Sequence, residues 1–235
     1  MKKFIIFILS IITFTFSFGS SKLYVGTNAE YPPFEYMENN KISGLDADII
    51  EEITKRMGVE YKWSNISFDG LIPALQTNKL DLVIAGMSIT PQRAKAVNFS
   101  IPYLSSEVAF IGNKNNPINS IDELEGKTFG AELGTTKEAS AKKIKNSKVI
   151  PFNGNTPALV ALKAGKIDVM VVDKSVGDNY VSHNKDLMLI GTLAGEPKAI
   201  AVNKKYPELL EKVNTALSEM LKDGTISNLR KKYGV

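Results

Sequence analysis

Two periods of apolar spacing take turns along this chain. Ile49, Ile50 and Ile53 recur at helical spacing within residues 47–57, and Gly58 supplies the stop. Residues 23–26 and 59–63 read as strands on either side, and 68–76 as a second helix. Further strands are expected at 108–111, 128–131, 149–152 and 199–202. Ser120 opens a capped helical turn, a helix begins near Gly134-Thr135-Thr136, and Thr156 caps another whose first residue is Pro157. Late in the chain, Leu209, Leu210, Val213, Leu217, Met220 and Leu221 share one helical face that Gly224 ends, and a last short helix follows. Strand and helix alternate throughout, which predicts an α/β protein with largely parallel sheets.

One stretch of this pattern occurs twice. Residues 74–88 read ALQTNKLDLVIAGMS and residues 161–175 read ALKAGKIDVMVVDKS. Ala74 answers Ala161, Lys79 answers Lys166, Asp81 answers Asp168 and Ser88 answers Ser175. Each copy reads as a helix end, a tight turn and a buried strand, so two similar lobes are expected. Where two such lobes face each other, strand ends meet at a cleft, and clefts bind ligands. The tail resembles neither copy and is assigned to the first lobe. Lobe 1 is then 20–104 with 198–235, and lobe 2 is 105–197. Two crossings, near 103–108 and 195–198, make a hinge.

Composition changes this picture at the N-terminus. Lys2 and Lys3 precede an apolar run from Phe4 to Phe18, followed by Gly19. Residues 1–19 read as a cleaved secretory signal, too short for a membrane span of about 20 residues. An uncleaved anchor is the alternative. Without those residues the formal charge falls from +4 to +2, so the basic balance is no nucleic-acid footprint. Arg230-Lys231-Lys232 suits a solvated helix end. The chain has no cysteine, hence no disulfide and no lipid-anchored thiol, and its one histidine, His183, falls in a polar stretch. No metal site and no cofactor are expected.

Candidate chemistry gathers at the two repeat ends. Gly86 in the first copy stands where Asp173 stands in the second. A carboxylate ending an apolar strand needs a partner, in the protein or in a ligand. Thr90 caps a helix that Pro91 begins, which puts Arg93 in the first turn, where a cation opposes the helix dipole until an anion arrives. A guanidinium there is a bidentate carboxylate receptor. Gly134-Thr135-Thr136 is the matching helix start in the second lobe. Arg93 and Asp173 together suit a zwitterion, Arg93 for its carboxylate and Asp173 for its ammonium. Ser88 Oγ and the Gly86 carbonyl add acceptors, and Tyr31 and Phe68 add apolar walls.

These residues resemble the periplasmic amino-acid-binding proteins of ABC importers, the family-3 solute-binding type. The resemblance covers essentially the whole chain after the leader. It is carried by Gly26-Thr27, Tyr31-Pro32-Pro33-Phe34-Glu35, Gly44-Leu45-Asp46-Ala47-Asp48, residues 68–75, Ser88-Ile89-Thr90-Pro91-Gln92-Arg93, Gly134-Thr135-Thr136 and Asp173. Leu45 departs from the phenylalanine usual in that motif. The resemblance implies a type II, Venus-flytrap architecture in which each lobe is a central sheet flanked by helices. It implies that Arg93 and Thr136 hold the ligand carboxylate, that Asp173 holds the ammonium, and that Tyr31 and Phe68 sandwich the side chain.

The resemblance also bears on the ligand. Asn28 stands where lysine, arginine and ornithine binders often carry Asp. Glu30 beside Tyr31, and Glu132 at the second-lobe side-chain contact, favour a cation. The run from Asn28 through Glu35, with Gly86-Met87-Ser88-Ile89-Thr90-Pro91, looks like the arginine branch, so arginine is expected first and lysine next. The expected protein is a periplasmic monomer that hands its ligand to an inner-membrane ABC permease and does not bind nucleic acid. The rival is an exported cyclohexadienyl or arogenate dehydratase-like enzyme on the same fold, with Glu132 as the one candidate general acid or base. A sensor domain would need a membrane span or signalling module after residue 235 and ranks third.

Overall fold

In the computed structural model, which describes residues 22–235, the two copies of the repeat fold alike. Each ends a helix with a residue at positive φ, Asn78 at 58° and Gly165 at 68°. Lys79 N then donates to Ala74 O, and Lys166 N to Ala161 O, both at 2.9 Å. The repeated aspartates do one job: Asp81 Oδ2 accepts from Tyr24 N at 2.7 Å, and Asp168 Oδ2 from Thr128 N at 2.8 Å. Each carboxylate thus satisfies an amide at the start of the neighbouring strand, and the two amides are equivalent in the repeat. The leader reading falls on residues outside those described.

The first lobe runs through β1 (Leu23–Thr27), β2 (Glu30–Tyr31), β3 (Glu35–Glu38), β4 (Lys41–Ser43) and α1 (Leu45–Met57). It continues with β5 (Tyr61–Asn65), α2 (Phe68–Gln76), β6 (Leu82–Val83), α3 (Pro91–Ala96) and β7 (Asn98–Phe99). Next come β8 (Glu107–Asn113), β9 (Thr128–Glu132), α4 (Thr136–Lys142) and β10 (Lys148–Phe152). The second lobe closes with α5 (Asn155–Lys163), β11 (Val169–Asp173), α6 (Lys174–His183) and β12 (Leu187–Ala194). The chain then returns through β13 (Ala201–Val202), α7 (Pro207–Lys222) and α8 (Thr225–Tyr233).

Two five-stranded sheets result, β5-β1-β6-β13-β7 and β10-β9-β11-β8-β12. The repeat strands β6 and β11 take the central place in each. The sheets are mixed, not largely parallel as expected. On one side of each central strand the pairing is parallel; on the other, β13 and β8 lie antiparallel. The reversed strands are those next to the crossings, whose direction the crossings impose. Gly26 on β1 and Gly130 on β9 are equivalent. A Cβ on Gly26 would collide with Leu80, and one on Gly130 with Ile167, again a matched pair in the repeat. Gly130→Ala is therefore expected to lower stability by about 1–3 kcal/mol through overpacking. An unchanged urea midpoint would contradict this packing account.

The tail packs on the first lobe. Arg56 of α1 reaches Asp223 at 2.8 Å, and Asp48 accepts from Lys232 at 2.7 Å and Tyr233 Oη at 2.8 Å. Val213, Ala216, Leu217 and Met220 are buried along α7. Leu221, expected among them, is exposed at the edge of that face in the last turn of the helix. Other boundaries move too. The second strand starts at Tyr61, where Leu23 sets its register. Residues 198–199 pair with the crossing and with Met87, leaving only 201–202 as strand. The turn at Ile121–Leu124 is 3-10, and the Ser120 side chain does not cap it. Helix α5 begins at Asn155 with Gly154 as its cap, not at Thr156.

Candidate ligand site between the lobes

The two crossings run side by side. Lys198 N donates to Leu104 O at 2.8 Å, Tyr103 N to Lys198 O at 3.0 Å and Gly195 N to Ser106 O at 3.1 Å. The two crossings are thus held together by antiparallel bridging at Lys198. Beneath it, Asp46 of α1 braces the first lobe's contribution. Its Oδ2 accepts from Gly86 N at 2.7 Å and from Tyr103 Oη at 3.0 Å. Burial raises Asp46 to about 6, and Glu35 beside it is pushed well above the carboxylate range. Burial is the main cause, and the neighbouring Asp46 carboxyl raises Glu35 further. Gly86, held at φ +49°, leaves 3.4 Å between a hypothetical Cβ and the Tyr31 ring.

Arg93 stands where the capping signals put it. Thr90 Oγ1 accepts from Arg93 N at 3.1 Å, and Pro91 begins the helix. The guanidinium then spans both lobes: Nη1 donates to Ser88 O at 2.8 Å and Nη2 to Gly134 O at 3.0 Å. It lies 5.1 Å from the centroid of Phe68, so the Phe68 ring supports the cation. Burial lowers Arg93 to about 10, opposed by more distant Glu196 and Asp173. Among the described residues it makes no ion pair. A half-buried guanidinium held by carbonyls alone keeps donors free for a carboxylate. An open recess of about 820 Å³ between α3 and α4 is lined by Arg93, Gly134 and Thr136.

Asp173 is also at the cleft, and the protein itself supplies partners. Its Oδ2 accepts from Tyr31 Oη, Lys137 Nζ and Lys198 Nζ, each at 2.8 Å, and its Oδ1 from Ser106 Oγ at 2.7 Å. Burial disfavours the charge, yet Lys137 and Lys198 hold the carboxyl well below the ordinary range. Burial brings Lys198 down to about 8, with Asp173 pulling the other way. Lys198 also donates to Ser88 Oγ at 2.9 Å, so one hinge side chain ties the two repeat ends together. Ser88 Oγ lies 3.3 Å from Thr136 Oγ1 across the cleft. Tyr31 stacks on Phe34 with centroids 5.8 Å apart.

The acidic candidates form the far end. Glu132 ends β9; its Oε2 accepts from Asn155 Nδ2 at 2.9 Å, while Oε1 is buried without a partner among the described residues. Burial raises Glu132 to about 7, against the pull of Lys137. Asn28 donates to Ile66 O at 3.0 Å and leaves its own Oδ1 buried and unpartnered. Glu30 is exposed, and its Oε2 would stand 2.6 Å from a Cβ on Gly154, so it faces the second lobe. Met87 is placed differently from the rest. Its side chain is fully buried in the first lobe's apolar core with Phe68, Leu71 and Val83. Lys137, Lys198 and Ser106 were not anticipated. Lys198 could have been noticed as a cation opening the run 198–202, which is otherwise apolar.

Two lobes of like strand order, paired crossings and a charged cluster between them define a two-lobed receptor of the type II periplasmic binding fold. The chain matches the bacterial extracellular solute-binding proteins, family 3, over residues 23–235, and it belongs to that family. A probable histidine-binding protein of Campylobacter jejuni is 38% identical over 215 residues, covering 90% of this chain and 84% of that one. ABC transporter arginine-binding protein 1 of Escherichia coli is 35% identical over 243 residues, covering 97% of each. The structure of an ancestral arginine-binding protein bound to arginine superposes with a TM-score of 0.86 at 42% identity, covering 90% of this chain and 97% of that one.

Proposed function

We propose that this chain captures a free basic amino acid, arginine first and lysine next, by closure about its hinge, and delivers it to an ABC permease. Lobe 1 is residues 20–104 with 198–235 and lobe 2 is 105–197. The observation that carries the reading is Arg93: a half-buried guanidinium bonded to Ser88 O and Gly134 O, one in each lobe, without an acidic partner among the described residues. A ligand carboxylate arriving there links the lobes, and its binding energy favours the closed arrangement. Ser88 and Thr136 meet across the cleft with their hydroxyls 3.3 Å apart, and the Gly86 carbonyl adds an acceptor for the ligand. The unpartnered oxygens of Glu132 and Asn28 suit the N–H donors of a guanidinium, and Glu30 adds charge at the rim. The names of the relatives point the same way: they bind arginine or histidine. The protein acts as a periplasmic monomer and performs no chemistry on its ligand.

The test is mass spectrometry of the small molecule released by denaturing protein purified under native conditions. Arginine or lysine is expected. Release of a neutral or acidic molecule, with no thermal shift on adding either basic amino acid, would sink the reading.

A further inference from the structure

Asp173 already holds a full set of donors, and this bears on how any ammonium reaches it. A carboxylate has about four lone-pair sites, roughly two on each oxygen. Oδ2 alone receives Tyr31 Oη, Lys137 Nζ and Lys198 Nζ. An incoming ammonium must therefore displace a donor. Three of the four are fixed elsewhere. Lys198 is fully buried, is bonded to Ser88 Oγ, and sits on backbone paired to the other crossing. The Tyr31 hydroxyl also accepts from Asp173 N at 2.9 Å, and its ring stacks on Phe34. Ser106 belongs to the crossing and serves Oδ1.

Lys137 differs. Its ammonium donates to Asp173 and lies 5.4 Å from the centroid of Tyr31. Carboxylate on one side and aromatic face on the other is the environment that a ligand ammonium would seek in this cleft. Lys137 sits on the first turn of α4 and is buried like Asp173, but its ammonium ends a flexible four-carbon stem and has no other hydrogen-bond partner among the described residues. Lys137 and Asp173 both belong to the second lobe, so their contact does not depend on closure.

We propose that Lys137 is a tethered competitor for the ligand: its ammonium holds the Asp173 subsite, and an amino acid binds by exchanging its own ammonium for that of Lys137. This rests on the amino-acid reading above. The exchange replaces one charge-assisted hydrogen bond by another. The affinity is then set below what the same cleft would show with Asp173 open to the ligand, which favours release.

Calorimetry with L-arginine on wild type, Lys137→Met, Lys137→Ala and Lys137→Arg tests this. Methionine keeps the stem without a donor; alanine removes both and guards against a fault peculiar to one variant. Both are expected to bind arginine about tenfold more tightly, the low end for a charge-assisted hydrogen bond. Lys137→Arg, which keeps a competing cation, is expected to gain less than about threefold. Equal or weaker binding by the methionine and alanine variants, with native circular dichroism, overturns the proposal and leaves the amino-acid reading standing. If neither wild type nor Lys137→Met binds any of the twenty amino acids, that reading falls and the competitor falls with it.

Discussion

Arg93→Lys is expected to weaken amino-acid binding by a factor of about 10² to 10⁴ while the protein remains folded. The estimate follows from geometry. The guanidinium makes two bonds at once, to Ser88 O at 2.8 Å and Gly134 O at 3.0 Å, and lies over the Phe68 ring. Its remaining N–H donors are left, in a fixed fork, for a ligand carboxylate. A lysine ammonium is a compact point charge and cannot span both carbonyls and also present paired donors. Losing two charge-assisted hydrogen bonds at about 1.5–3 kcal/mol each corresponds to that range of affinity. Lysine keeps the charge, so a loss of this size would report on the fork and not on net charge. Calorimetric titration decides it. A change below about threefold would mean that Arg93 serves lobe-to-lobe contact alone and that the carboxylate is held elsewhere.

Much of this site could be read from the residues because its parts are local. Thr90-Pro91 dictates where a helix begins, and that fixes Arg93 at its first turn. Asp81 and Asp168 recur at one spacing because each satisfies the same amide of a neighbouring strand. What escaped reading is tertiary. That Asp173 needs a partner is visible in its apolar strand; that the partners are Lys137 and Lys198, 36 and 25 residues away, is settled only by packing. Strand direction escaped for a related reason. A buried strand looks the same in either sense, and β8 and β13 are reversed by the crossings they adjoin. The start of α5 escaped because Asn155 is drawn into the helix by its bond to Glu132, which overrides the Thr156-Pro157 signal. Local propensity sets an element's existence more firmly than its edge.

Glu132 yields the second large effect, a coupling of arginine binding to pH. Burial raises its carboxyl from 4.5 to about 7, and Lys137 opposes that rise only in part. Without its ligand, the folded protein holds a proton between those values that the unfolded chain has lost. Folding stability therefore falls as pH rises through that window, by about 1–3 kcal/mol in all. Glu132→Gln keeps an acceptor for Asn155 and removes the buried charge, so the free variant should melt higher than wild type at pH 8. Binding runs the opposite way. A guanidinium at Oε1 needs the carboxylate, so arginine affinity should fall as pH drops below about 7, by up to about tenfold per unit. Near pH 7 binding should expel a proton, and the measured enthalpy should then track the ionisation heat of the buffer. The glutamine variant should show weaker binding, a flat profile and no buffer dependence, whereas Glu30→Gln, at the exposed rim, should show a smaller loss and keep the pH slope. Equal arginine affinity in Glu132→Gln and Glu30→Gln, matching wild type from pH 6 to 8, would mean that neither acid holds the arginine side chain and would overturn this account of the acidic end.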